Sequence, residues 1–543
     1  MDSLSTIWHS QVAADSLSEL VEIKVEGCDK LVTLFPPGTV RSFQNLEVLT
    51  ITSCGALEVV YDTEENAGSD LPSPVEVSKL RELSLDDLAN LQHIWRADPR
   101  EILSFLNLRS VSVMRCRNLG YLFHVSVAKA LEQLVELVVA ESSLEVIVAK
   151  DESVQVAGTL EFVFPRAAKL VLSDLPQLKS FYPGKFISRW PLLEDLMISN
   201  SNMVAFDSKK SKAVTSNDNP AEQPLFLVDK GTFPKVETLH MQHNDNMKQI
   251  WSGRRHPKLT SLSSGVHFTN ITTLRVENCR SLKNILTPNM VAELPGLATL
   301  EIRDCEILEA VIAEEEKARN PITIRLLRDI TLDSLPMLVS FCSQNCFTEY
   351  PSLMNVTIKN CPEMRAFTSP HLKEKAADTM GENSEEACTN SGDIDIPFFS
   401  EMVLFPSLEI LVLSDLDSLS VIWHDLLAEK SFDKLRDVKI YHCGKLKRIF
   451  SPKTTLERFR NMKKLSIDHC GSLEVLFDIR EHRHDPVIKM LLRELSLFSL
   501  PELMSVWNAD IDGTISFEDL KEVRVTGCPK LKIPTGLPLV RTE

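Results

Sequence analysis

Glycine is scarce in this chain, at 18 of 543 residues, and aromatic residues make up only 6%. The first shortage excludes collagen-like and glycine-rich low-complexity architectures. The second argues against one large aromatic core and suits many thin layers of aliphatic side chains instead. Positive charge is also short: 59 Lys and Arg face 76 Asp and Glu, a formal net charge of −17. Binding along a phosphate backbone needs a basic footprint, so no nucleic-acid partner is expected. No apolar run reaches the roughly eighteen residues of a membrane-spanning helix. The opening MDSLSTIWHS lacks the basic region and apolar stretch of a secretory signal. Without such a signal, the 12 cysteines of a long chain are expected as reduced thiols in the cytosol or nucleus.

What the chain has in abundance is one recurring unit. It runs from Phe43 as FQNLEVLTITSCGALEVVY, from Phe268 as FTNITTLRVENCRSLKNIL and from Phe432 as FDKLRDVKIYHCGKLKRIF. It recurs from Phe459 as FRNMKKLSIDHCGSLEVLF and from Phe517 as FEDLKEVRVTGCPKLKIP. The common pattern is F-x-x-L-x-x-L-x-L-x-x-C-x-x-L-x-x-I/L-F, in about seventeen irregular copies at a mean spacing of about thirty residues. In Leu274-Arg275-Val276 and Leu465-Ser466-Ile467 the alternation has period two, so a short strand buries both aliphatics on one face. One strand cannot bury that face alone. Stacked on its neighbours it joins a parallel sheet with a continuous aliphatic column behind it.

The predicted fold class is therefore α/β, a leucine-rich-repeat solenoid. A curved parallel β-sheet is expected on the concave face, with irregular or short helical segments on the convex side. Cysteine recurs at one phase, three residues after the second aliphatic: Cys28, Cys54, Cys116, Cys279, Cys305, Cys361, Cys443, Cys470 and Cys528. There the chain turns away from the strand, where a small, mostly buried side chain with a weak S–H donor fits. A metal or redox centre needs ligands converging on one point. One thiol per coil makes a ladder instead, so these are read as structural turn cysteines.

A second rhythm replaces the cysteine by leucine and ends in tryptophan: Leu80–Trp95, Leu408–Trp423 and Leu492–Trp507. Val236–Trp251 keeps that ending with Asn244 at the turn, and two relatives end in Phe181-Tyr182 and Phe341-Cys342. The usual order is two cysteine units, then one Trp-ended unit. Polar stretches after Tyr61, from Asp207, from Ala313, over Thr368–Pro397 and from Asp478 each precede a Trp-ended unit and read as extruded loops. The opening LSTIWHS matches LSVIWHD at Leu419–Asp425. Residues 1–16 are thus expected to be the truncated tail of a preceding repeat, and the chain a piece of something longer. Residues 17–367 form a first block of repeats, 368–404 an acidic insertion expected to be disordered, and 405–543 a second block.

The pattern L-x-x-L-x-L-x-x-C-x-x-L-x-x-I/L-F, with partner units such as LRELSL…LPEL…VW, resembles plant nucleotide-binding leucine-rich-repeat disease resistance proteins of the coiled-coil class. The resemblance covers the repeat region only. A nucleotide-binding domain needs G-x-x-x-x-G-K-[ST]. Gly184-Lys185 and Gly444-Lys445 are followed by Phe and Leu, without the upstream glycine. The family's Met-His-Asp motif is absent too, since Trp423-His424-Asp425 belongs to a repeat. The resemblance implies the sensor half of an intracellular immune receptor. Its partners would be a pathogen effector or a guarded host protein, and the nucleotide-binding domain of the parent receptor. The other class is the substrate-recognition arm of a ubiquitin-ligase adaptor, which an F-box upstream would reveal.

No residue set supports catalysis, a cofactor, a metal or a small-molecule substrate. His482 and His484 sit in a polar loop and read as solvated. Cys342 and Cys346 form a C-x-x-x-C whose first member holds a core position. His442 and His469 precede Cys443 and Cys470, but a Cys–His nucleophile pair needs direct contact and a third orienting group. A protein partner is expected on the open strand positions: Arg275, Glu301, Arg303, Lys439, Tyr441, His442, Lys464, His469 and Phe498. Tyr441 and Phe498 stand out, because aromatics carry much binding energy. Twelve cations from Lys430 to Lys464 cluster within two repeats, the expected mark of a solvated basic edge or of a docking surface for an acidic partner. If the cysteines are purely structural, chelation by EDTA leaves the thermal unfolding midpoint unchanged; a drop in that midpoint would reveal a metal.

Overall fold

The computed structural model describes residues 4–8, 17, 19–43, 45–63, 75–150, 159–201, 204–205, 226–227, 233–245, 247, 250, 269–313, 321–343, 346–369, 396–424, 426–450, 456–477, 488–507, 515–532 and 540–541. The chain divides into two compact units, Met1–Leu282 and Lys283–Glu543. Each is a parallel β-solenoid.

In the first unit the main sheet is built from Glu22–Glu26, Val48–Thr52, Glu82–Asp86, Ser110–Met114, Glu136–Ala140, Lys169–Ser173, Asp195–Ser199, Thr238–Gln242 and Thr273–Glu277. In the second it is built from Thr299–Arg303, Asp329–Asp333, Asn355–Lys359, Ile410–Ser414, Asp437–Tyr441, Lys464–Asp468, Glu494–Phe498 and Glu522–Thr526. Every strand has five residues, and its second and fourth are buried, as in Val438 and Ile440 or Leu465 and Ile467. That is the period-two pattern of a sheet with one face in the core. Pairing is parallel and residue-for-residue, Leu49 beside Leu83 and Leu465 beside Leu495. A one-residue slip would turn every aliphatic outward.

Each strand ends the same way. The next residue is left-handed: Ser53, Asp87, Arg115, Glu141, Asp174, Asn200, His243 and Asn278 in the first unit, after Gly27. In the second unit it is Asp304, Ser334, Asn360, Asp415, His442, His469, Ser499 and Gly527. Short polar side chains and glycine tolerate that conformation best, which accounts for most of the list. Its N–H still completes the ladder, donating to the last carbonyl of the next strand, as Asp415 does to Tyr441 at 3.0 Å and His442 to Asp468 at 2.9 Å. The chain then crosses to the far side of the coil, where three-residue strands such as His93–Trp95 and Val421–Trp423 pack their last two residues inward.

Aromatic rings stack there from coil to coil. Phe35 lies 4.7 Å from Tyr61, and Tyr61 lies 6.3 Å from Trp95. In the second unit Phe399, Trp423, Phe450 and Phe477 continue one another at 5.4, 6.3 and 5.0 Å. Helix is sparse among the described residues: two α-helices of six residues each, Val125–Ala130 and Pro288–Glu293, and short 3-10 turns such as Val40–Phe43 and Leu456–Phe459. The far side is therefore leaner in helix than an α/β label suggests. No helix among the described residues is long and apolar enough to cross a membrane.

Trp8, in the predicted tail, packs edge-on against Phe43 at 4.8 Å, so residues next to the first coil serve its core. The insertion expected at 368–404 overlaps described strands at both ends, Ala366–Thr368 and Pro397–Phe399. Pro397–Phe399 and Val403–Leu404 are strands with Phe398 and Phe399 fully buried, so this Phe-Phe pair belongs to the core of the next coil rather than to an insertion. Residues 370–395 lie outside the described residues, as do Trp251, His482 and His484.

The left-handed position sets a clear stability test. Glu141 has φ 51°. Glu141→Gly should leave stability within about 0.5 kcal/mol, since relief of strain offsets glycine's extra chain entropy, while Glu141→Val should cost about 2 kcal/mol. Urea unfolding followed by circular dichroism checks this; equal effects would mean that the backbone does not constrain the site.

Candidate protein-binding faces

The turn cysteines come first, because they fix how the faces are held. Cys54, Cys116, Cys279, Cys305, Cys361, Cys443 and Cys470 are buried, as is Cys28, while Cys528 is half-buried. Each thiol donates to the carbonyl two residues back, the last of its strand: Cys54 to Thr52 at 3.4 Å, Cys361 to Lys359 at 3.1 Å, Cys443 to Tyr441 at 3.3 Å. That carbonyl already accepts the N–H of the left-handed residue one coil earlier, Ser334 for Lys359 and Asp415 for Tyr441. Both of its lone pairs are thereby used. The sulfur also accepts, as in Cys28 N–H to Cys54 Sγ at 3.4 Å.

Where cysteine is missing, other small polar residues do the same. Ser142 and Ser201 donate to Ala140 and Ser199, each at 2.8 Å, whereas Asn244 Nδ2 donates instead to the Ile198 carbonyl of the preceding strand at 3.0 Å. In Trp-ended coils Leu88, Leu416 and Leu500 fill the position and are buried. Burial raises the thiols of Cys116 and Cys361 from 9.0 to about 12. The hydrogen bond to Cys470, with burial behind it, holds Cys443 above the ordinary range. Among the described residues no group of three or more His, Cys, Asp or Glu is placed to hold a metal. Cys342 closes strand Ser340–Cys342 in register with Ile312 and Thr368, and both it and Cys346 are buried.

The first, third and fifth residues of each strand point to the open face and line up in rows. Arg275 is exposed at the centre of Thr273–Glu277, beside His240, whose Nε2 lies 3.5 Å from Glu277. Arg275 belongs to the first unit; Glu301 and Arg303 share one strand of the second, 3.9 Å apart.

Further along the second unit, Ser414, Tyr441, Asp468, Phe498 and Thr526 form one row, with Tyr441 and Phe498 half-buried on either side of Asp468. Lys439 lies in the next row beside Ser466 and leans 3.5 Å from Asp437. Lys464 reaches across to Glu494 at 2.9 Å. His442 and His469 are exposed at left-handed turn positions rather than on the strands. Their rings lie 4.9 Å apart, and each Nδ1 meets a carboxylate, Asp415 at 3.1 Å and Asp468 at 2.6 Å.

The sequence cluster of cations is not one patch in space. Arg436 pairs with Glu409 at 3.4 Å, Lys434 with Ser407, and Arg458 with the Ala428 carbonyl. Lys445 and Lys447 are exposed in the turn beyond the sheet, while Arg448 begins the far-side strand Arg448–Phe450. Residues adjacent in sequence wrap around the coil, so a linear cluster is dispersed.

Sequence reasoning missed one feature of the first unit. The residue between the two buried aliphatics is Val138, Val171 and Met197 in three successive strands, each half-buried and in direct register. The signal was present in ELVVA, KLVLS and DLMIS, where a polar central residue is otherwise usual.

Coils with a short strand, a left-handed polar residue, a thiol-capped turn and a stacked aromatic define a leucine-rich-repeat protein. The sequence model for the leucine-rich repeats of plant disease resistance protein RPS2-like proteins matches residues 1–143, 234–375 and 401–534. The chain belongs to that family. No curated protein is significantly similar to it. Among solved structures, the crystal structure of a TLR13–ssRNA13 complex aligns over 95% of this chain and 77% of its own, at 12% identity and a TM-score of 0.25. The plant peptide hormone receptor RGFR1 in complex with RGF2 aligns over 96% and 97%, at 10% identity and 0.18. CroV588, a circular leucine-rich-repeat protein, aligns over 98% and 87%, at 10% and 0.22. TM-scores of this size carry no further argument.

The thiols make a pH prediction. Between the 9.0 of the free thiol and the value of about 12 in the fold, the unfolded chain binds fewer protons at Cys116 and Cys361, so stability falls as pH rises through that window. Cys116→Ser with Cys361→Ser keeps the hydrogen bond and cannot ionise there. Its unfolding free energy should therefore fall less steeply with pH than that of the unsubstituted chain; parallel slopes in denaturant titrations would sink the idea.

Proposed function

We propose that the chain is the ligand-recognition region of an intracellular plant immune receptor, acting in the cytoplasm by protein–protein binding rather than by catalysis. Its open strand faces engage a pathogen effector or a guarded host protein. They also rest against the nucleotide-binding domain of the same receptor and restrain it. The row Tyr441–Asp468–Phe498, in register on the second unit's face, carries this reading. Two half-buried aromatics about 10 Å apart, two strand spacings, bracket a carboxylate in a row continued by Ser414 and Thr526. Aromatic anchors inside a polar rim are what protein interfaces use for affinity, and paired charges for orientation. Family membership favours this reading over the arm of a ubiquitin-ligase adaptor.

The test is co-expression with the nucleotide-binding domain of a receptor of this family, read by co-precipitation and interferometry. A complex should form at low salt. Tyr441→Ala with Phe498→Ala should weaken it roughly tenfold or more, and charge reversal at Lys439 and Lys464 should lower its association rate. An unchanged complex in both variants would remove the restraining role from this face.

A further inference from the structure

The open face of the first unit has a different chemistry. Val138, Val171 and Met197 form an unbroken apolar row across strands Glu136–Ala140, Lys169–Ser173 and Asp195–Ser199. Met114 and Ala140, in register with each other, widen it on one side, and Val135, exposed at the upstream edge, on the other. At about 4.8 Å per strand the strip spans roughly 15 Å. His240, beside Met197, ends it. Elsewhere the described central positions are polar or charged, apart from Val412, which stands alone between Thr357 and Lys439.

Carboxylates line both long sides. Glu194 and Asp195 lie upstream; Glu141 and Asp174 lie in the left-handed turn row downstream. Glu141, Glu194 and Asp195 have no ion pair among the described residues. Two of the nearby cations are already neutralised, Lys169 by Glu136 at 2.7 Å and Arg115 by Asp86. Arg109 stands exposed at the upstream edge against them. The balance around the strip is negative.

From this we infer that the strip binds a segment of a partner protein whose apolar side chains are flanked by lysine or arginine. The inference rests on reading the strand faces as protein-binding surfaces and adds the chemistry of the partner. Apolar side chains in adjacent register on an open strand face, with no strand or helix of the described residues paired over them, are dehydrated by a partner. The flanking carboxylates attract cations and repel phosphate, which rules against nucleic acid and anionic lipid as occupants. Affinity comes from the apolar contact and orientation from the rim, so added salt weakens binding without abolishing it.

A random-peptide display library panned against the full chain tests this. Clones are kept if they bind the unsubstituted chain and are lost by Val138→Ser with Met197→Ser. The expected consensus is two or more apolar residues flanked by Lys or Arg. A synthetic peptide of that consensus should bind at least roughly tenfold more weakly to the double variant, and several-fold more weakly to Glu141→Lys with Asp195→Lys, by fluorescence anisotropy. Val412→Ser should bind it normally. The near-isosteric Val171→Thr serves if the serine variant loses its far-ultraviolet spectrum. A consensus flanked by acidic residues would overturn the partner chemistry and leave the face reading standing. Equal recovery from the parent chain and from both face variants would overturn the face reading itself, and no enrichment at all would overturn both.

Discussion

Everything in this structure depends on how each main-sheet strand stops. A left-handed residue turns the chain out of the sheet but keeps its N–H in the ladder, and where the next turn carries cysteine or serine the carbonyl it reaches also receives that thiol or hydroxyl. A backbone acceptor at the rim of a core would otherwise be left half-satisfied, at a cost comparable to a lost hydrogen bond. Cysteine suits the place because it is small, packs as an apolar residue and still donates. The strain of a left-handed side chain, of the order of 1 kcal/mol, is offset by this closure in the cysteine and serine coils.

Because every strand stops at the same phase, every strand is in register, and the open positions become rows. A row is a surface written one residue per coil, so its character depends on residues some thirty positions apart. Valine, valine and methionine give the first unit an apolar strip. Tyrosine, aspartate and phenylalanine give the second an aromatic and ionic one. The cations of these faces are mostly tied to neighbouring carboxylates: Lys169, Lys439, Lys464 and Arg524 each lie within 3.5 Å of one. Exposed pairs like these add little stability. What they do is cancel charge locally, so that a partner meets shape, apolar area and a few unpaired carboxylates.

Much of this was readable before any coordinates. Period-two aliphatics such as Leu465 and Ile467 announced the strands, and the recurring thiols announced the turns. Less visible was the residue just before each thiol. Serine, aspartate, asparagine and histidine share no obvious chemistry until their common backbone angle is known, and His442 and His469 therefore looked like strand residues. Lysines between 430 and 464 looked like a patch because they are close in sequence. A coil carries such neighbours to opposite sides within ten residues, from Lys439 on the sheet to Arg448 on the far strand.

Sequence alone determined the repeat, its phase, the buried aliphatic pair of each strand and the place of the cysteines, because all of these are local and periodic. Tertiary structure decided which open residues meet. Val138 and Met197 are 59 positions apart in the chain, yet only Val171 lies between them on the sheet. Pairing between coils depends on the length of each intervening loop and on where the next strand starts, and no local pattern encodes that. The open faces therefore exist only once the coils are stacked.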